Sequence, residues 1–164
     1  LFLTSIDWIL TRSLISIVVE TDLEQLLELQ TSCYLEEAIL YNDFTIPPVT
    51  QTLASIKLDF RKEVFLKIEF DRNIIGSVRG YVESNTCKIG RLLVHKDFRN
   101  QGLGKALMNG IESHFNSPNR FELFTGFKRT KNILLYKKLG YSEYKKQYIH
   151  EELSLVFLEK INTQ

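Results

Sequence analysis

A chain of 164 residues with 44% hydrophobic and 25% charged side chains has the composition of one globular domain. Eight Gly and three Pro exclude collagen-like and low-complexity classes, and the hydrophobic share excludes disorder. With 21 Lys and Arg against 20 Asp and Glu the formal charge is +1, so no overall basic field draws the chain to nucleic acid. Cys33 and Cys87 stand far apart and make no metal-ligand spacing, as expected of two reduced thiols in a cytoplasmic protein. No apolar run approaches the roughly 18 residues of a membrane span. Residues 1–10 contain Asp7, no basic leader and no small-residue cleavage site, which makes a poor signal peptide. Residues 1–14 read as an N-terminal extension of unassigned role, with Trp8 available to pack on a partner. Residues 15–164 read as a single domain.

Ile15 to Val19 is a short β-branched run, a strand by composition. Thr21-Asp22-Leu23-Glu24 has the form of a capping box, and Leu23, Leu26, Leu27, Gln30 and Tyr34 then recur at helical spacing to about Leu40. Pro47-Pro48 predicts a break, and Thr50 a cap for a second helix carrying Leu53, Ile56 and Phe60. Val64, Leu66, Ile68 and Phe70 alternate with Phe65, Lys67 and Glu69, the pattern of a half-buried strand. Turns at Asp71-Arg72-Asn73 and Ser84-Asn85-Thr86 make a three-stranded meander of this strand, Ile74 to Glu83, and Cys87 to Val94. Leu103, Ala106, Leu107, Ile111 and Phe115 share one helical face. Phe121 to Phe127 reads as a strand, and Asn132 to Leu139 as a short helix stopped by Gly140. Ser142 to Ile149 and Leu153 to Lys160 predict a closing hairpin. The order gives an α/β (α+β) fold with a mixed, mainly antiparallel sheet covered by helices.

The chemistry is concentrated where the strand ending in Leu92-Leu93-Val94 passes through His95 to Arg99-Asn100-Gln101-Gly102-Leu103-Gly104-Lys105-Ala106. Glycines let a ligand approach the main chain, and the unpaired N–H groups of a helix start make an anion site, with Arg99 and Lys105 at its rim. The ligand implied is a phosphate or pyrophosphate. A phosphate-binding loop of the Gly-x4-Gly-Lys-Ser/Thr type fails twice, at Arg99 and Ala106, and a dinucleotide fingerprint fails at Leu107.

What remains, Arg-x-x-Gly-x-Gly after Arg91-Leu92-Leu93-Val94-His95, resembles motif A of the GNAT superfamily of N-acetyltransferases. The later stretch Thr130-Lys131-Asn132-Ile133-Leu134-Leu135-Tyr136 strengthens the resemblance, because the family carries an Asn and a Tyr there near the cofactor thiol. Asn132 and Tyr136 match them, four residues apart on one helix face. The resemblance implies acetyl-CoA as cosubstrate, no metal, and a primary amine, small molecule or amino terminus, as acceptor. It implies pantetheine pairing along Leu92, Leu93 and Val94, and pyrophosphate on the N–H groups between Arg99 and Ala106. A bulge in that strand would free an oxyanion donor near Leu93 or Val94, and Tyr136 would protonate the leaving thiolate.

Other roles are less constrained. The strand Cys87 to Val94 holds no carboxylate, so the base falls to Glu83 or Glu69 on the preceding hairpin, or to a water chain. His95, beside the phosphate loop, is read as a surface residue. Ser77, Arg79, Tyr81 and Glu83 alternate onto one strand face; Arg79 and Tyr81 are expected at the substrate, or Arg79 and Glu83 in structural pairs. Tyr34, Tyr41 and Phe44 are expected to line the acceptor cleft. A homodimer stays open. The alternative reading is a non-catalytic CoA-binding sensor or interaction module. A nucleic-acid-binding reading through Lys128-Arg129-Thr130-Lys131 and Lys145-Lys146 is opposed by the balanced charge.

Overall fold

The computed structural model describes residues 14–163; the expectations for the extension before Leu14, Trp8 included, lie outside them. Seven strands form one sheet in the order β1-β2-β3-β4-β5-β7-β6. They are β1 (Ile15–Ile17), β2 (Val64–Phe70), β3 (Asn73–Glu83), β4 (Thr86–Val94), β5 (Arg120–Gly126), β6 (Ser142–His150) and β7 (Leu153–Ile161). All neighbours are antiparallel except β4 and β5. Helices α1 (Leu23–Tyr41), α2 (Pro47–Thr50), α3 (Leu53–Phe60), α4 (Leu103–His114) and α5 (Thr130–Lys138) complete the layers. This is the mixed sheet with flanking helices that the element order predicts.

Two cores sit on opposite faces of the sheet. Leu103, Leu107, Met108 and Ile111 of α4 pack on Leu66, Ile68, Val78 and Ile89. Leu23, Leu26 and Leu29 of α1, with Ile56 of α3, pack on Phe65, Ile74 and Leu93. Strand β2 is therefore covered on both faces rather than half-buried. Phe65 is 2% exposed and Lys67 7%, the latter tolerated because Asp22 and Glu69 each hold its ammonium at 2.8 Å. Phe70, expected inside, is 59% exposed.

Helix starts differ locally from the sequence pattern. Thr21 caps nothing; a 3₁₀ turn, Glu20–Asp22, precedes α1, and the Asp22 carboxylate accepts from the Val19 N–H at 2.8 Å. Pro47 and Pro48 open α2 instead of breaking the chain, since proline fits a first helical turn. The cap of α3 is Thr52, whose hydroxyl accepts from the Ser55 N–H at 3.2 Å, and not Thr50.

Candidate active site

Two irregularities open the sheet. In the β3–β4 pair, Ser77 faces Leu93 and Arg79 faces Gly90, so Arg91 and Leu92 together oppose Val78. This is a β-bulge, and Arg91 takes a φ of 51° there. The parallel pairing of β4 with β5 spans Thr86–Arg120, Cys87–Phe121 and Lys88–Glu122, then stops. Past Lys88 the two strands diverge, and a cleft of about 1050 Å³ occupies the gap. The His95 N–H donates to the Ile75 carbonyl. Alternation along the strand then turns the Leu93 N–H toward β3 and the Val94 N–H into the gap. Of the two expected oxyanion donors, the register thus offers Val94 and not Leu93.

Below the gap, a 3₁₀ turn (Lys96–Phe98) leads to Asn100 at φ 61° and Gly102 at φ 82°, which caps α4. A side chain at Gly102 would strain this left-handed conformation. At Gly104 a Cβ would lie 3.4 Å from Leu135 and 3.8 Å from Leu92, ordinary contact distances. Leu92, Leu93, Val94, Arg99, Asn100, Gly102, Leu103, Gly104 and Lys105 all line the cleft, as do Asn132 and Tyr136 from α5. Gln101 and the buried Ala106, expected with them, do not. Arg99 is not a free rim cation: its Nε donates to the Val94 carbonyl at 3.1 Å and its Nη1 to Glu36 at 2.7 Å.

Tyr136 is 6% exposed, and its ring meets Tyr141 edge-on at 6.1 Å. Burial, reinforced by Tyr34 and Glu37, raises its phenol well above the ordinary range. Tyr34 and Tyr41 of α1 line the cleft; Phe44 is 53% exposed and does not. The Arg91 guanidinium lies 5.7 Å from the Tyr34 ring centroid. The Tyr41 hydroxyl accepts from the Lys128 N–H at 3.0 Å, and a Cβ on Gly126 would collide with that hydroxyl.

The remaining candidates lie elsewhere. Arg79 is buried, 3.2 Å from Asp59 and 3.3 Å from Glu63, with its guanidinium 5.0 Å from the Phe65 ring centroid. It serves the packing of α3 on the sheet, the structural alternative to substrate binding. Tyr81 and Glu83 are not in the cleft wall either, and Glu83 pairs with Lys88 on the surface. Glu69 is held by Lys67. His95 accepts from the Asp97 N–H at 3.2 Å in the surface turn. Within the basic cluster, Lys128 bonds Glu152 at 2.9 Å, and Arg129 lies 3.3 Å from Glu37. Glu37 was missed by sequence reasoning: one of several acidic positions on a long helix gives no signal until the fold places it in the cleft. Among the described residues no group of three or more His, Cys, Asp or Glu could share a metal ion, and no helix is long and apolar enough to cross a membrane.

A family model described as the acetyltransferase (GNAT) family matches residues 23–141. The chain belongs to the GNAT acetyltransferase family. No curated protein matches the sequence. Among solved structures, the GNAT domain is similar to smu.2055 of Streptococcus mutans, with a TM-score of 0.77, 18% identity, and coverage of 90% of this chain and 98% of that one. A ribosomal-protein-alanine N-acetyltransferase from Brucella melitensis gives 0.73 at 19% identity, covering 90% and 99%. A phosphinothricin acetyltransferase from Sinorhizobium meliloti, in complex with AcCoA, gives 0.72 at 17% identity, covering 90% and 87%. At these identities the structures bear on fold, and the acetyltransferase sheet is the one they share.

Proposed function

We propose that this GNAT protein is a cytoplasmic N-acetyltransferase that moves the acetyl group of acetyl-CoA to a primary amine by direct attack in a ternary complex. The observation that carries the reading is the gap between β4 and β5, which leaves main-chain groups of one strand without a strand partner beside a buried tyrosine. The donor fits that gap. Its pantetheine amides find the open edge of β4, and its pyrophosphate finds the N–H groups of the Gly102 turn at the start of α4. The bound thioester supplies the acyl carbon and a sulfur leaving group.

The residues of the chain do the rest. Val94 directs its N–H where negative charge develops on the acyl oxygen. Burial keeps Tyr136 protonated through the physiological range, the state required of a donor to the departing sulfur. Asn132, one helical turn away in the same wall, holds the donor near that hydroxyl. The two free thiols, Cys33 and Cys87, suit a reducing compartment.

The test is a panel of primary amines and amino-terminal peptides offered with acetyl-CoA, following release of free thiol. Amine-dependent thiol release is the expected result. Tight binding of acetyl-CoA with no turnover across the panel would leave the sensor reading in its place.

A further inference from the structure

Resting on the acetyltransferase reading, we infer that Glu37 is the catalytic base, the carboxylate that takes a proton from the acceptor ammonium before attack. Among the described residues two carboxylates line the cleft, Glu37 and Asp43. Asp43 is fully engaged: it accepts from the Thr45 N–H at 2.9 Å and hydroxyl at 2.6 Å, and lies 2.9 Å from His150 Nε2. Those contacts hold its carboxyl below the usual range, which weakens it as a base. Glu37 projects from α1 with its side chain 18% exposed and, among the described residues, one ion pair, to Arg129 Nε at 3.3 Å. It lines the same cleft as Tyr34 and Tyr136, and so shares the pocket of the proton donor.

The groups facing Glu37 come from each surrounding element. Tyr34, Glu36 and Tyr41 lie on α1, Arg91 on β4, Arg129 at the start of α5, and Tyr136 within α5. Burial raises the Glu37 carboxyl, and Arg129 and Arg91 partly oppose that rise. A carboxylate so placed is a better proton acceptor than an exposed one.

The step balances. The ammonium gives one proton to Glu37, and the freed lone pair forms the N–C bond as the C–S bond breaks and its electron pair leaves with sulfur. Tyr136 gives its proton to sulfur. The second N–H proton, acidified by the new bond, restores the tyrosine, and Glu37 returns its proton to solvent. The sum is an ammonium and a thioester giving an amide, a thiol and one proton.

The experiment compares Glu37→Gln with the wild type, using the fastest alkylamine of the panel and hydroxylamine, which is largely neutral at neutral pH. With the alkylamine, kcat/KM should fall roughly 100- to 10,000-fold, the range of one acid–base group. The acidic limb of the pH profile, which in the wild type lies above the ordinary carboxylate range, should disappear. Hydroxylamine, needing no deprotonation, should lose far less, and calorimetric acetyl-CoA affinity should stay within about twofold. A wild-type rate and pH profile in the variant, or equal losses for both nucleophiles, would overturn the assignment. Should Glu37→Gln unfold, Glu37→Asp decides: a slower rate with the acidic limb kept supports the role, and an unchanged rate defeats it. A wild type silent with every amine fails at the acetyltransferase reading itself, a different outcome from an active wild type with an indifferent variant.

Discussion

A phenol kept protonated by its surroundings loses only a donor when Tyr136 becomes Phe. The expected result is a kcat lowered roughly ten- to ten-thousand-fold, with kcat/KM falling in step and acetyl-CoA affinity nearly unchanged. Full activity under chemistry-limited conditions would take the hydroxyl out of the reaction. Arg79 makes the opposite expectation. Replacing it with Met leaves Asp59 and Glu63 without their shared cation, and should cost roughly 1–3 kcal/mol in urea unfolding while acetyl-CoA affinity holds. Weakened binding in a folded Arg79→Met protein would instead return Arg79 to the ligand. The contrast shows what a sequence carries at this scale. The place of Asn132 and Tyr136 in the cleft wall was legible because their stretch resembles a family motif, whereas the partners of Arg79 lie in other segments and leave no local trace. Glu37 is the same case in reverse, an ordinary polar position until Arg129 and Tyr136 are folded against it.

Among the elements, the turn before α4 is the most sensitive. Gly102 sits at φ 82°, where a β-branched residue is strained by roughly 1–3 kcal/mol. Gly102→Val should abolish acetyl-CoA binding in calorimetry while circular dichroism stays close to that of the wild type; unchanged affinity in the folded variant would sink the phosphate cradle. This turn was readable because the glycine spacing and the helix face after it are both local. The bulge at Arg91 was not locatable in the same way. Arg91 takes a left-handed φ without being glycine, and its place is fixed by the pairing of Ser77 with Leu93 across the ladder. Helix starts failed for a related reason: Thr21 and Thr50 both have cap-like surroundings, and tertiary packing selected the Asp22 and Thr52 arrangements instead.

At the scale of the whole molecule, the sheet is continuous on either side of one interruption. Strand β5 pairs with β7 from Arg120 to Gly126, yet pairs with β4 over three residues. Amide exchange should report that asymmetry. The Val94 N–H should exchange fast in the free protein and slow on addition of CoA, while Leu93, turned to β3, should be slow in both states. No ligand-induced change at Val94 would argue against pantetheine pairing at that edge. The element order made the fold legible, but the interruption was not, because β4 and β5 are separately good strands and only their divergence makes the gap. An opening walled by peptide groups also bears on how such a protein can drift over generations. Exchanging Leu92 or Val94 for another β-forming residue changes a side chain and leaves the N–H and C=O where they were. The side chains along this seam can therefore change widely while the peptide groups that wall it keep their places.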